Sequence, residues 1–96
     1  MKQIQISAAH WSTPRAAHEA LKEALSFPDY YGHNLDALHD CLTELSDTQL
    51  VIEDCALAAR NMPEKWAGFL AVFLDSAQEN PGLEIKLLPG QGDYGE

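Results

Sequence analysis

The sequence predicts an α/β fold: a small sheet of three parallel strands packed against helices. Three observations carry this. Lys2-Gln3-Ile4-Gln5-Ile6 alternates polar and apolar residues with the period of a strand. Leu50-Val51-Ile52 is a short apolar run bounded by polar residues, and Glu84–Leu88 reads as a last strand. Between these runs lie segments with helical spacing and helix start and stop signals. Strands that alternate with helices pair in parallel through helical crossovers.

After the first strand, Ser7–Ser12 reads as a loop holding His10 and Trp11. Thr13 is placed to cap a helix. Pro14 suits its first position, where a missing N–H costs nothing. That helix is expected to run to about Leu25, with Ala17, Leu21, Ala24 and Leu25 facing inward. Phe27-Pro28 ends it, because a residue before proline avoids the helical region.

The second helix is expected to start at or near Asn34 and to end near Leu45. Leu35, Leu38, Leu42 and Leu45 fall on one stripe of a 3.6-residue period, which points at the core. Asp36, Asp40 and Glu44 recur at four-residue spacing on the opposite face. Like charges so spaced cost an isolated helix roughly 0.2–0.5 kcal/mol per pair. Only Asp36 gains from the positive end of the helix dipole. Local helix stability therefore does not explain this face. It is either solvated surface or charge held ready for a cationic partner.

Ser46-Asp47-Thr48 reads as a turn before the second strand. Leu57–Asn61 reads as a short helix, and Pro63 as the start of a longer one. Trp66, Phe69, Leu70 and Phe73 give that helix a wide apolar face, read as core. Gly68 either weakens it by about 1 kcal/mol relative to Ala or marks close packing. Asn80-Pro81-Gly82 stops it. Residues 89–96, with three glycines and two acids, read as a flexible tail after a single domain over residues 1–88.

A chain of 96 residues fits one domain, and 46% hydrophobic residues exclude a disordered acidic segment. Six Lys and Arg stand against 15 Asp and Glu, a net charge of −9. Such a field repels nucleic acid and anionic membranes and attracts basic proteins. No apolar run approaches a membrane span, and Met1–Ile6 lacks the apolar region of a signal peptide, so a cytoplasmic setting is expected. Cys41 and Cys55 lack the spacing of a metal or redox pair and read as two buried thiols.

The residues speak against catalysis. None of Ser7, Ser12, Ser26, Ser46 and Ser76 sits in a nucleophile elbow or triad context. His39 and Cys41, two apart on a helix, face different ways. His33 and His39 have no neighbouring lysine or arginine to hold phosphate. Asp36, His39 and Asp40 share a face and could supply metal ligands, but no second element completes the shell. All four histidines read as lone surface residues, and no cofactor is called for. Protein binding remains. A carboxylate on a rigid helix can stand where a phosphate would sit and accept charge-assisted hydrogen bonds from basic side chains.

The string Tyr30-Tyr31-Gly32-His33-Asn34-Leu35-Asp36-Ala37-Leu38-His39-Asp40-Cys41-Leu42-Thr43 closely resembles the signature of the barstar family, intracellular inhibitors of the secreted ribonuclease barnase. The resemblance extends more loosely over residues 2–88. It implies a barstar-like fold, a three-stranded parallel sheet covered by helices, with two helices in the first crossover. It implies a non-enzymatic inhibitor whose partner is a basic, extracellular-type ribonuclease, barnase-like, or another cationic toxin bound by an immunity or adaptor protein. By the same resemblance Asp40 fills the nuclease's phosphate site, and Asp36 contacts partner arginines. Tyr30 packs on the partner's catalytic histidine. Gly32 and Asn34 lie on the approach loop, and Thr43 at the far end of the helix.

The chain departs from the family pattern at several of these positions. His39, on the expected binding surface, stands in place of a tryptophan, as does Leu45. His33 replaces a glutamate. Asp75 approximately matches a partner-contacting glutamate but is one methylene shorter, and Glu79 is an alternative to it. The segment from Pro89 has no counterpart.

Overall fold

Ile4, Leu50 and Ile85 stand in register across three parallel strands, and Ile6, Ile52 and Leu87 form the next row. These rows give the sheet one apolar face, and the helices cover it. The computed structural model describes residues 1–90. In chain order its elements are β1 (Lys2–Ser7), α1 (Pro14–Leu25), α2 (Leu35–Thr43), β2 (Thr48–Glu53), α3 (Cys55–Asn61), α4 (Pro63–Glu79) and β3 (Leu83–Leu87). The strand order is β1-β2-β3, all parallel. The α/β fold with a three-stranded parallel sheet stands as expected, and the first crossover holds α1 and α2. The open face of the sheet is polar: Gln3 Nε2 donates to Gln49 Oε1 (3.0 Å), and Gln49 Nε2 donates to Glu84 Oε1 (2.7 Å).

The helix signals act as the sequence implies. Thr13 Oγ1 accepts from the Ala16 N–H at 3.2 Å, with Pro14 in the first turn of α1. Ser26 closes α1 in the left-handed region (φ 58°). Gly68 marks close packing: a Cβ there would lie 2.8 Å from Leu35 Cδ1, so glycine lets α4 press onto α2. Trp66, Phe69 and Phe73 are buried in the core, and Leu70 is half-buried.

Several boundaries move. Helix α2 ends at Thr43, not near Leu45, because the Glu44 N–H turns back to the Cys41 carbonyl and the Leu45 N–H to that of Leu42. Asn80 Nδ2 then donates to the carbonyls of Leu42 (3.0 Å) and Leu45 (2.7 Å), capping α2 from a distant loop. Thr48, read as a turn residue, is buried in β2, and the turn is made by Asp47 at φ 52°. Helix α3 starts at Cys55, not Leu57: the Cys55 and Ala56 N–H groups donate to the carbonyls of Leu88 and Pro89. Leu88 lies just outside β3. Ala24 is half-buried rather than inward-facing. Of the expected tail, residues 91–96 lie outside the described residues. No helix among the described residues is long and apolar enough to cross a membrane.

The topology places the functional elements. Helix α1 begins shortly after β1 ends, α2 ends shortly before β2 begins, and α4 ends shortly before β3 begins. The first turns of α1, α2 and α4 therefore gather at the carboxyl end of the parallel sheet, the end at which open α/β folds place their crevices.

Candidate functional site

Tyr30 and Tyr31 are adjacent and have opposite fates. Tyr31 is buried, while Tyr30 is 88% exposed. Tyr31 anchors the loop: its N–H donates to the Pro28 carbonyl at 2.9 Å, its ring packs on Phe27 at 5.0 Å, and its hydroxyl lies 2.6 Å from His18 Nδ1. His33, in the left-handed region at φ 53°, sets Nδ1 2.9 Å from the Tyr31 carbonyl and Nε2 2.6 Å from Glu19 Oε2. The loop is thus fastened to α1 on one side and projects Tyr30 on the other.

Helix α2 rises from this loop. Asn34 Oδ1 accepts from the Ala37 N–H at 2.8 Å, and Asn34 Nδ2 donates to the Gly32 carbonyl at 3.1 Å. Such a cap is worth about 1 kcal/mol and fixes the angle at which the helix leaves the loop. Leu38 and Leu42 are fully buried beneath it, and Leu35 meets Gly68. The opposite face presents Asp36, Asp40 and Glu44 to solvent. The Asp40 side chain is 80% exposed. At the far end Thr43 Oγ1 donates to the Asp40 carbonyl at 3.0 Å.

Loop and helix enclose a groove of about 270 Å³ whose walls include Tyr30, Tyr31, Gly32, Asp40, Cys41 and Glu44. Three of the residues singled out by sequence, Tyr30, Gly32 and Asp40, thus converge. Asn34 serves as the helix cap, and Asp36 stays exposed on the first turn of α2. Asp75 is exposed on α4, one turn before Glu79. Glu79 is fixed to the α2 face: His39 Nε2 lies 3.2 Å from Glu79 Oε1, with His39 Nδ1 4.0 Å from Asp40 Oδ1.

The histidines correct the expectation of four lone surface residues. His18 is buried against Phe69, and the Tyr31 phenol satisfies its Nδ1 inside the core. His33 and His39 have partners, and His10 is exposed. The reading of two buried thiols also changes. Cys55 is buried with its thiol pushed up to about 11, chiefly by burial, whereas Cys41 is half-buried on the groove wall. Burial, aided by Glu44 and Asp40, also raises the Cys41 thiol, so it stays protonated at neutral pH. Among the described residues no three His, Cys, Asp or Glu side chains gather as metal ligands.

A family model described as Barstar (barnase inhibitor) matches residues 1–88. The chain belongs to the barstar family. The match takes in every described element, from β1 to β3, and all the residues around the groove. A Bacillus subtilis (strain 168) protein named "Putative ribonuclease inhibitor YrdF" is 46% identical over 52 residues. That match covers 54% of this chain and 57% of the relative, so the chain spans little more than half the length of this curated relative.

Proposed function

We propose that the protein is a non-catalytic inhibitor of a barnase-type ribonuclease and acts in the cytoplasm. Asp40 stands where a substrate phosphate would lie and accepts hydrogen bonds from the basic side chains of the nuclease site. Asp36 and Asp75 extend the acid surface around it, and Tyr30 offers an exposed ring to the partner. Gly32, Asn34 and Thr43 shape the approach, and His39 sits at the centre of the face. One observation carries this reading: an exposed carboxylate on a helix whose underside is fully packed, beside an exposed tyrosine on a loop pinned to α1. A surface held in shape before contact loses little freedom on binding.

The test is titration of the purified protein into a barnase-type ribonuclease while RNA cleavage is followed. Stoichiometric loss of activity is expected. Full activity at micromolar protein would overturn the assignment of this target. It would favour the second reading, an immunity or adaptor protein for a different cationic toxin. The pairing of His39 with Glu79 supports that second reading, because it sets a polar pair where the family pattern has a tryptophan.

A further inference from the structure

On the other side of the approach loop lies a second cavity, of about 240 Å³, which borders the inhibitory surface at Asn34 but lies outside the groove that holds Asp40. It sits where the first turns of α1, α2 and α4 meet, at the carboxyl end of the sheet. Its walls are apolar through Pro14, Leu35 and Phe69, and its polar groups include His18, His33 and Lys65. The protein as a whole is strongly acidic, with a net charge of −9.

The hydrogen bonding of His18 points into this space. The Tyr31 hydroxyl has no other partner among the described residues, and a buried O–H without an acceptor is costly, so it donates to His18 Nδ1. The ring proton then sits on Nε2. His18 is 2% exposed, and Nε2 has no hydrogen-bond partner among the described residues. It is not one of the fully enclosed unpaired atoms, so it opens onto the cavity that His18 lines. His33 already has a partner in Glu19, bonded to its Nε2. Lys65 forms no ion pair with the described residues and is the uncompensated charge at the rim. The start of three helices adds the positive ends of their dipoles.

We propose that this cavity binds a small carboxylate with an apolar, ring-sized body. The carboxylate takes the His18 Nε2–H and the Lys65 ammonium, and the body packs on Leu35 and Phe69. A bare inorganic anion would leave the apolar walls unused, and a neutral ring would leave Lys65 and the helix ends unpaired. The inference stands apart from the inhibitory role, since it concerns the free protein and residues outside the groove.

The probe is benzoate, titrated into the full chain and followed by amide and imidazole NMR shifts, with benzyl alcohol and inorganic phosphate in parallel. We expect saturable millimolar binding of benzoate, with the largest shifts at His18, Leu35, Lys65 and Phe69 and unchanged signals at Asp40. Lys65→Glu, a substitution at an exposed site, should abolish saturation. Failure of benzoate to saturate, equal binding of benzyl alcohol, binding of phosphate in preference to benzoate, or unchanged affinity in Lys65→Glu would each overturn the proposal.

Discussion

His39 Nε2 lies 3.2 Å from Glu79 Oε1, and this contact joins the helix that carries Asp40 to the longest helix of the protein. His39 is 34% and Glu79 57% exposed, so water and salt screen the pair. We expect Glu79→Gln to change the unfolding free energy by less than about 1 kcal/mol. A larger loss in chemical denaturation would mean that the pair holds α2 in place rather than merely bordering the face.

Acid should weaken the fold through His18. Burial, and then the charge of His33, lowers its pKa from the ordinary 6.5. Protons therefore bind the unfolded chain more readily than the native one. The stability that His18 contributes is complete above pH 6.5 and is lost as pH falls from there toward the lowered value. Glu19, lowered from 4.5 mainly by its hydrogen bond with His33, adds a loss of the same sign at more acid pH. Urea unfolding at about pH 8 and about pH 5.5 should show a lower midpoint in acid, with a smaller difference in His18→Gln. Equal pH dependence in the two proteins would rule out His18 as the source.

Ser76 is fully buried in α4, and its Oγ has no partner among the described residues. An unpaired buried hydroxyl is destabilising, so Ser76→Ala should raise the unfolding free energy by about 1 kcal/mol. A loss of stability instead would show that the hydroxyl is satisfied, for example by a buried water.

Salt should slow association. Asp36, Asp40 and Glu44 are exposed on α2, and attraction between exposed charges and a basic nuclease is screened over about 8–10 Å at moderate ionic strength. Stopped-flow mixing should give association rates that fall as salt rises, with dissociation changing less. A flat response would remove long-range attraction from the mechanism.

Most of the fold was legible because its signals are local. The spacing of Leu35, Leu38 and Leu42 marks one helix face, Thr13-Pro14 one helix start, and the alternation from Lys2 to Ile6 one strand. The end of α2 was less legible because Asn80, far along the chain, supplies its cap. The start of α3 depends likewise on carbonyls of Leu88 and Pro89. At the site, the string from Tyr30 to Thr43 holds most of the groove residues, while Pro28 and Glu44 flank it. The burial of His18 stayed hidden because its phenol partner is Tyr31, on a loop no spacing rule connects to α1. Asp75 sits on α4, far in sequence from the string that carries the α2 acids, so sequence spacing gave it weak support.

The most direct measurement compares inhibition of a barnase-type ribonuclease by the parent, Asp40→Ala and Glu84→Ala. Both variants lose one negative charge, but Glu84 lies on the open sheet face, away from the groove. If Asp40 takes the place of a substrate phosphate, Asp40→Ala should inhibit at least about tenfold more weakly, ~1.4 kcal/mol, while Glu84→Ala matches the parent. Equal inhibition by Asp40→Ala and the parent would contradict the mechanism.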